Sequence, residues 1–512
     1  MSGMSTTTHT PAPYDQPREE HDSRRVSAVT DDALGTLDAT GVAAAIRAGS
    51  ISATEAVEAA IARIAAVNPV LGATTVDDHE RARSRASHLP AGTSAPFAGV
   101  PSAFKDNVTV AGLPMRMGSD ALPAGPNEVD GAFVRQYLST GVIPVATTTC
   151  PPFGWTATTE RPQGRVTRNP WATGYSSGGS SGGSAALVAS GALPIAHGND
   201  GGGSIRIPAA ACGLVGLKAT RGRLLGDPTT DKTPIAIVVN GVLTRTVRDT
   251  AAFLAAAERF QPSGKLPPVG LVEGPGARRL RIGMMLDSPL APATDSQTRE
   301  AVEGAARLLE SLGHTVDDSV QIAVPAFFKT DFEDYWGLLA MASAAQGKSL
   351  FGQDFDASQL DNVTLGLAAR AKRRLHRIPL CVARLAATGI ASERLFPAGT
   401  DLVLTPTLTH TTPRIGYLSA DLDFETHFER LTGYVGFTPL HNANGQPSIS
   451  LPLGRTDDGR PIGVMLSARK GQERLLLELA FELEAAAPLR GPGPGALAPQ
   501  DGAFARIDGA AA

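Results

Sequence analysis

Apolar residues recur at helical spacing in two long segments of the chain. The first opens at Ser52 with the letters SATE, which form a capping box at a helix start. Apolar positions then follow three and four residues apart, at Val57, Ala60, Ile61, Ile64 and Val67. A proline disfavours the helical backbone conformation of the residue before it, so this helix is predicted to end near Asn68-Pro69. The second segment, residues 296–314, predicts a helix that stops at a glycine.

Shorter apolar runs with turn residues on both sides predict strands. Residues 97–108 (FAGVPSAFKDNV) contain such a run, and Lys105 falls at or just beyond its end, where we expect it to point into the structure. Residues 142–149 and 280–286 have the same pattern and predict two further strands. Strands that alternate with helices predict an α/β fold.

The two ends of the chain lack such periodicity. Residues 1–35 mix Thr, Pro, Ser and charges of both signs, which is typical of a disordered tail. Residues 488–512 are rich in turn-forming and helix-breaking residues, which indicates a loosely held C-terminal tail. No linker of Pro, Ser or charge runs interrupts the part between them, so residues 36–487 are predicted to form one domain.

Composition narrows the class of protein. The chain has 512 residues, a formal charge of −4 and 42% apolar residues, which suits a soluble globular protein that is not attracted to nucleic acid. The three cysteines, Cys150, Cys212 and Cys381, are scattered and have no metal-ligand spacing, so we expect no disulfide framework, no metal and a cytoplasmic location. The longest uncharged stretch, residues 169–199, is broken by Gly, Ser and Pro, and no membrane span is expected.

Candidate chemistry concentrates between residues 178 and 223. Ser180 lies in GGSSGGS and Ser204 ends DGGGS. Glycine permits backbone turns that other residues avoid and leaves main-chain N–H groups accessible, as an oxyanion hole requires. The small apolar run after Gly183 predicts a buried helix with Ser180 and Ser181 at its positive N-terminal end. This pattern indicates a hydrolase.

A catalytic serine needs a base, because its hydroxyl is a weak nucleophile at neutral pH. His197 is the nearest histidine in sequence, but its setting in PIAHGND also suits a structural histidine. Lys105 follows an apolar residue, and burial lowers the pKa of a lysine toward the neutral form that accepts protons. A solvated surface lysine is the alternative that the sequence around Lys105 leaves open.

Three motifs together resemble the amidase signature family: FKDNV, GGSSGGS and DGGGSIRIPAAACGLVGLK, in matching order and spacing. Segments similar to the family extend from about Thr36 to Ala487. The resemblance implies an amidase catalytic domain with an α/β fold, a central mixed β-sheet with helices on both faces, and a small amide as substrate. It also implies a triad of serine, a second serine after a cis peptide bond, and lysine. By position these are Ser204 as nucleophile, Ser180 as bridging serine and Lys105 as base.

The resemblance extends to the turn before the nucleophile. It places the oxyanion hole at the main-chain N–H groups of Gly201, Gly202, Gly203 and Ser204, with no metal or cofactor involved. Asp200 and Arg206 are expected to brace this turn through buried hydrogen bonds or an ion pair. Two departures from the family indicate an altered substrate preference. The chain reads ATTTCPPFG at residues 146–154 where GKTNTPEFG is frequent, and Gly201 stands where Thr, Ser or Ile is common.

The substrate is less defined by the sequence. AHGNDGGGSIRIPA, TRNPW and KATRGR are most similar to the branch that contains 6-aminohexanoate cyclic dimer hydrolase, so linear or cyclic ω-amino acid amides are candidates. The resemblance also suggests a homodimer. Aromatic residues within 327–344 are compatible with an apolar pocket and equally with ordinary core.

Of three alternatives to an amidase, the first differs only in substrate and the other two differ in class. Ester or carbamate hydrolysis by the same triad stays open, because both reactions pass through similar tetrahedral intermediates. A glutamine-dependent amidotransferase subunit is disfavoured, because Ile207 stands where the glutaminyl amidotransferase A subunit typically has Gln. A non-catalytic binding protein is disfavoured because all three triad positions are occupied by the required residues.

Overall fold

The computed structural model describes residues 23–90, 92–226 and 233–488. The predicted C-terminal tail therefore lies outside the described residues except for its first residue, and so does most of the predicted N-terminal tail. Residues 23–35 are described, and they do not behave as a tail. Within them, the Val26 N–H donates to the Pro170 carbonyl at 2.8 Å, and the Ala28 N–H donates to the Ser190 carbonyl at 2.7 Å. This segment is packed on the body because its backbone groups find partners there.

Strands alternate with helices along most of the chain. The strands are β1 (Thr74–Asp77), β2 (Pro101–Lys105), β3 (Ile143–Thr148), β4 (Glu160–Arg161), β5 (Arg165–Val166), β6 (Arg168–Asn169), β7 (Ala172–Ser176), β8 (Ile195–Asp200), β9 (Val215–Lys218), β10 (Val239–Thr244), β11 (Arg281–Met284), β12 (Thr315–Asp317), β13 (Leu402–Pro406), β14 (Ser448–Arg455) and β15 (Pro461–Ala468). The helices are α1 (Ala39–Arg47), α2 (Ala53–Leu71), α3 (His79–Ser87), α4 (Ala132–Leu138), α5 (Gly182–Ala189), α6 (Arg206–Cys212), α7 (Val247–Phe260), α8 (Ser296–Ser311), α9 (Phe328–Ala345), α10 (Gly347–Phe351), α11 (Asn362–Arg373), α12 (Ile378–Leu395), α13 (Phe424–Tyr434), α14 (Pro439–Asn444) and α15 (Glu473–Ala486).

Eight of the described strands form the main sheet, in the order β12-β11-β13-β15-β14-β9-β10-β8. The sheet is mixed: β11 pairs with β12 and with β13 in parallel, and the other neighbours are antiparallel. Helices α6 and α8 pack against β14 and β15, and α5 packs against β8. The predicted α/β fold with a central mixed sheet is therefore confirmed.

A smaller sheet carries the lysine. It has the order β1-β3-β2, with β2 and β3 parallel and Lys105 aligned with Thr148. The predicted strands at 97–108 and 142–149 are thus confirmed as β2 and β3. Every residue of β2 is buried, since the β2 strand also packs beside β8. The predicted position of Lys105 at a strand end is confirmed as well.

The predicted helices form, but both end at other residues than predicted; α8 ends at Ser311 and not at His314. Ser52 and Glu55 make the expected capping box at the start of α2. The helix does not end near Asn68-Pro69 as predicted but continues to Leu71, where Gly72 adopts a left-handed conformation and its N–H donates to the Asn68 carbonyl at 2.8 Å. A proline in the last turn removes only one backbone donor, and the left-handed Gly72 caps the carbonyl of Asn68, the residue before the proline.

Helix α9 packs against both α11 and α12, and the three helices form a layer. The aromatic residues of α9 belong to this layer: Phe328 and Tyr335 are buried, and Phe332 extends toward Gly202. No helix within the described ranges combines the length and apolar character that a membrane span requires.

Candidate active site

Lys105 is fully buried at the end of β2, and its ammonium nitrogen has two polar neighbours. Nζ lies 2.7 Å from Ser180 Oγ and donates to Asn199 Oδ1, also at 2.7 Å. Burial lowers the pKa of Lys105 to about 8, an effect that Cys150 and Asp200 partly oppose. A lysine in this environment holds a neutral amine at mildly alkaline pH, and a neutral amine accepts a proton.

Ser180 sits in a loop that requires glycine on several sides. The Gly179–Ser180 peptide bond is cis, as the resemblance predicted. A Cβ on Gly179 would lie 2.7 Å from the backbone N and O of Thr158, and one on Gly154 would lie 3.1 Å from Ser180 Oγ. The backbone at Gly154 thus borders the Ser180 hydroxyl directly. Helix α5 begins two residues later and is buried along its whole length, as predicted.

The loop of Ser180 packs on the segment that carries Ser204. Gly178 has a φ of 75°, and a Cβ there would lie 2.7 Å from Pro208 Cα in the first turn of α6. Only a glycine permits this approach of two backbones. Ser204 precedes α6 and is 9% exposed, more than Ser180 or Lys105. The three predicted triad residues are therefore held by two adjoining loops and the end of β2.

In the turn before Ser204, one of the N–H groups predicted for the oxyanion hole is already hydrogen-bonded within the protein. The Gly203 N–H donates to Asp200 Oδ1 at 2.8 Å, so it is directed at a carboxylate within the protein. Within the described residues, no hydrogen bond uses the N–H of Gly202 or Ser204. Of the predicted donors, Gly203 is thus the one whose N–H has a partner within the protein, because the Asp200 side chain folds back onto the turn.

Asp200 and Arg206 form a buried ion pair that holds this turn. Arg206 Nε donates to Asp200 Oδ2 at 2.9 Å and Nη2 donates to Oδ1 at 2.8 Å, and both side chains are fully buried. Burial would raise the pKa of Asp200, but the Arg206 guanidinium holds it well below its usual range. The expected bracing by Asp200 and Arg206 agrees with this geometry.

Two residues that are distant in sequence make further hydrogen bonds to this ion pair. Asn442 Nδ2 donates to Asp200 Oδ1 at 2.9 Å, and Arg206 donates to Asn442 Oδ1 at 2.7 Å and to Ser448 Oγ at 3.1 Å. Asn442 and Ser448 were not recognised as site residues from the sequence, although both lie in the segment NANGQPSISLPLG that is similar to the family. Asn199, the second partner of Lys105, was also missed.

His197 is a structural residue and not a base. It is fully buried, its Nδ1 accepts from the Lys105 main-chain N–H at 3.2 Å, and its Nε2 lies 3.3 Å from Asn240 Oδ1. Burial lowers the pKa of His197 to about 3. Both ring nitrogens are used, so His197 fixes the backbone at Lys105 and cannot take a proton from a serine.

Apolar side chains form the walls near the turn. A Cβ on Gly201 would lie 3.1 Å from Val238 Cγ2, and one on Gly202 would lie 3.9 Å from Phe332 Cζ. On the Ser180 side, Trp155 follows Gly154 and stacks on Phe153 with ring centroids 6.2 Å apart. No group of three His, Cys, Asp or Glu side chains in the described part of the chain is arranged to hold a metal ion.

Comparison with known proteins agrees with these features. The profile of the family described as Amidase matches residues 55–477. The chain is 50% identical over 465 residues to "Putative amidase AmiC" of Mycobacterium tuberculosis (strain ATCC 25618 / H37Rv), covering 91% of this chain and 97% of the relative. It is 37% identical to "6-aminohexanoate-cyclic-dimer hydrolase" of Paenarthrobacter ureafaciens, covering 88% of this chain and 95% of the relative.

Solved structures give the same result. A structure of 6-aminohexanoate cyclic dimer hydrolase matches with a TM-score of 0.79 and 34% identity, covering 90% of this chain and 99% of that chain. A bacterial aryl acylamidase of the amidase signature family matches with a TM-score of 0.77 and 26% identity, covering 88% of this chain and 96% of that chain. The resemblance inferred from the three motifs is thereby confirmed. The chain belongs to the amidase signature family and is a hydrolase that acts on amide carbon–nitrogen bonds.

Proposed function

We propose that this protein hydrolyses small amides through an acyl-enzyme on Ser204, with Ser180 as proton carrier and Lys105 as base. The observation that carries the proposal is the contact between Lys105 Nζ and Ser180 Oγ at 2.7 Å, made by a lysine whose pKa burial lowers to about 8. A neutral amine in contact with a hydroxyl is the arrangement that moves a proton without a metal or cofactor.

In the first half of the reaction, neutral Lys105 takes the proton of Ser180, and Ser180 takes the proton of Ser204. The Ser204 oxygen forms a bond to the carbonyl carbon, and the carbonyl oxygen becomes an oxyanion. The N–H groups of Gly201, Gly202 and Ser204 are the donors proposed for this oxyanion. We leave Gly203 out because its N–H is directed at Asp200.

In the second half, the C–N bond breaks as Ser180 returns a proton to the leaving nitrogen, and Lys105 returns its proton to Ser180. The free amine departs and leaves an ester on Ser204. Water then gives a proton to the relay and adds to the ester carbon, which releases the carboxylic acid and restores the Ser204 hydroxyl. Every proton taken up by Lys105 is thus given back within one turnover.

Apolar walls and the relatives support a substrate class. Val238, Phe332 and the Phe153–Trp155 pair offer no charge to the substrate. We propose uncharged small amides, with linear and cyclic 6-aminohexanoate amides as first candidates because two curated relatives that act on the cyclic dimer are 37% identical to this chain. A cytoplasmic homodimer that contacts neither nucleic acid nor membrane is part of the same proposal.

The test is hydrolysis of a substrate panel combined with intact mass spectrometry. The panel contains hexanamide, an acyl anilide, the linear and cyclic dimers of 6-aminohexanoate, and the matching ethyl ester. Wild-type protein should release amine and carry the acyl group on Ser204 after rapid acid quenching. Ser204→Ala should lose both, and Ser180→Ala should lose nearly all turnover.

Ser181→Ala is the matched control, because Ser181 is also a buried serine in this loop. Its hydroxyl donates to the Asn199 carbonyl at 3.3 Å, and no hydrogen bond among the described residues joins it to Lys105. It should retain most of the activity. Wild-type turnover in Ser204→Ala, or an acyl group on another residue, would refute the proposal. If the protein hydrolyses the ethyl ester but none of the amides, it is an esterase and the proposed amidase function is wrong.

A further inference from the structure

The turn before Ser204 consists of three consecutive glycines, residues 201–203. Glycine adopts backbone conformations that other residues avoid, so the sequence of this turn does not by itself hold one conformation. Donors stabilise an oxyanion best when they are fixed in place before the charge develops. Contacts from other parts of the protein must therefore hold this turn if its N–H groups are to serve the proposed reaction.

The peptide group between Gly202 and Gly203 is hydrogen-bonded at both ends. Its carbonyl accepts from the Thr438 hydroxyl at 2.6 Å, and its N–H donates to Asp200 Oδ1 at 2.8 Å. The C=O and N–H of a trans peptide lie in one plane and point in opposite directions, so the two bonds hold this plane from opposite sides. A rotation of the peptide about its two glycines would break both bonds.

Both ends of this peptide are held from α14. Thr438 directly precedes the helix and Asn442 follows four residues later, a spacing that places two side chains on one helix face. Asn442 Nδ2 donates to the Asp200 carbonyl at 2.8 Å and to Asp200 Oδ1 at 2.9 Å. The helix thus holds the carbonyl end directly through Thr438, and it holds the N–H end through Asn442 and Asp200.

The Thr438 hydroxyl is not used for the local structure of its own helix. A threonine before a helix commonly accepts a hydrogen bond from an N–H of the first turn, but the Thr438 side chain makes no such bond. The residue is fully buried, and in the described part of the chain its hydroxyl bonds to the Gly202 carbonyl alone. A Cβ on Gly203 would lie 2.4 Å from Thr438 Oγ1, so only a glycine admits this close approach.

We propose that Thr438 is a positioning residue of the reaction, whose hydroxyl fixes the turn that carries the oxyanion donors. The two peptide groups on either side of the fixed one carry the N–H groups of Gly202 and Ser204, which are donors in the proposed function. Thr438 acts on them through the Gly202 carbonyl and touches no reacting atom. The inference rests on the proposed acyl-enzyme at Ser204 and adds a residue from outside the three sequence motifs.

This role predicts a particular kinetic effect. The negative charge on the carbonyl oxygen develops in the transition state, so looser donors lower kcat and leave the binding of the neutral amide nearly unchanged. Removing a whole donor from an oxyanion hole costs about 10²–10³ in kcat. Loss of the Thr438 hydroxyl leaves the donors present but less well fixed, so the expected fall in kcat is smaller, about tenfold to a hundredfold.

The experiment removes the hydroxyl in two matched pairs of proteins. Thr438→Val keeps the shape of the wild-type side chain, and Thr438→Ala differs from Thr438→Ser by the hydroxyl alone, so the second pair carries the comparison if the valine variant does not fold. Thr400→Val is the control, because Thr400 is also buried and its hydroxyl donates to a main-chain carbonyl, that of Pro397, at 2.8 Å. Urea denaturation of each variant measures the loss of stability separately.

Two quantities are measured for each protein. The first is kcat and KM for the hexanoyl substrate that the wild type hydrolyses fastest. The second is inhibition by pentyl trifluoromethyl ketone, which has the same acyl chain. In its adduct the Ser204 oxygen bonds to the ketone carbon, the serine proton passes to Ser180, and the carbonyl electron pair becomes an oxyanion, so its affinity reports the oxyanion donors without a leaving group.

Thr438→Val and Thr438→Ala should lower kcat about tenfold to a hundredfold, weaken the ketone by a similar factor, and change KM by less than about threefold. Thr438→Ser and Thr400→Val should stay close to the wild type. The pH midpoint near 8 should be unchanged in every variant, because none alters the surroundings of Lys105.

Four results would overturn the assignment: wild-type kcat without the hydroxyl, a loss of ketone affinity no larger than the change in KM, a serine variant as slow as the alanine variant, or a shifted pH midpoint. The proposed function has its own test. If the wild type forms no acyl-enzyme on Ser204 by mass spectrometry, that function fails, whereas an acyl-enzyme that forms equally fast in Thr438→Val refutes only the role of Thr438.

Discussion

Replacing Arg206 by methionine would remove the cation from an ion pair that has no contact with solvent. Methionine keeps much of the length of the side chain and adds no polar group. Asp200 would keep four donors: the main-chain N–H groups of Gly203 at 2.8 Å, Ile205 at 3.2 Å and residue 206 at 3.4 Å, and Asn442 Nδ2 at 2.9 Å. It would lose both guanidinium contacts and remain buried as an unpaired carboxylate.

The size of the effect follows from this inventory. Removing one partner of a buried ion pair costs about 3–5 kcal/mol, because the other charge stays desolvated. The four remaining donors to Asp200 place the expected loss near the lower end, at about 3 kcal/mol of unfolding free energy. The double variant Asp200→Asn/Arg206→Met removes the charge as well, so its loss should be smaller than that of Arg206→Met alone.

The assay is equilibrium urea denaturation followed by circular dichroism, with the single and double variants measured beside the wild type. In the wild type, Arg206 lowers the pKa of Asp200, so the pair stabilises the protein above the unfolded pKa of an aspartate, about 4, and this contribution is lost as the pH falls through the lower folded pKa. In Arg206→Met, burial without the cation raises that folded pKa. The deficit of this variant should therefore shrink as the pH falls through that raised folded pKa toward the unfolded pKa of about 4.

Two results would refute this reasoning. The first is a loss of unfolding free energy below about 1 kcal/mol in Arg206→Met. It would mean that the ion pair has access to water or that another cation pairs with Asp200 in place of Arg206. Lys218 is the group that could replace it: it is buried nearby, and burial together with Arg206 lowers its pKa well below the usual value. The second refuting result is a double variant that is less stable than Arg206→Met. It would mean that a buried asparagine side chain at residue 200 destabilises the fold more than an unpaired buried carboxylate does.

Three further outcomes are expected. The kcat/KM of the wild type should rise with pH through a midpoint near 8, because burial lowers the pKa of Lys105 to about 8 and only its neutral form accepts a proton; a flat profile across this range would contradict the assignment. Asn199→Ala removes an oxygen that stabilises the Lys105 ammonium, so the same assay should show a midpoint at lower pH, and an upward shift would count against it. Ser52→Ala breaks the capping box of α2 and should cost about 1 kcal/mol in urea denaturation with kcat unchanged.

The parts of the site that the sequence predicted are encoded locally. Lys105 ends a short apolar strand, and Ser180 and Ser204 each lie in a glycine turn, so a few neighbouring residues specify their backbone environment. The starts of α2 and α5 were predicted for the same reason. Family resemblance supplied the roles, which spacing alone left open between His197 and Lys105.

The parts that were missed depend on residues distant in sequence. Whether the Gly203 N–H is free is decided by the orientation of Asp200, and that orientation depends on Asn442, which lies 242 residues further along the chain. The packing of residues 23–35 has the same origin. Their composition resembles a tail, but Asp32 accepts two hydrogen bonds from the buried Arg63, a partner that no local pattern indicates.

The environment of His197 makes this residue a natural spectroscopic reporter. Its Nδ1 accepts from Lys105 while Nε2 is left to donate to Asn240, so the ring is held in one neutral tautomer. Its pKa of about 3 keeps the imidazole from titrating in the range where Lys105 changes charge. In a protein labelled with ¹⁵N-histidine, the signal of His197 should therefore shift only through the electric field of the neighbouring ammonium, and so give the charge of Lys105 without substrate and without turnover.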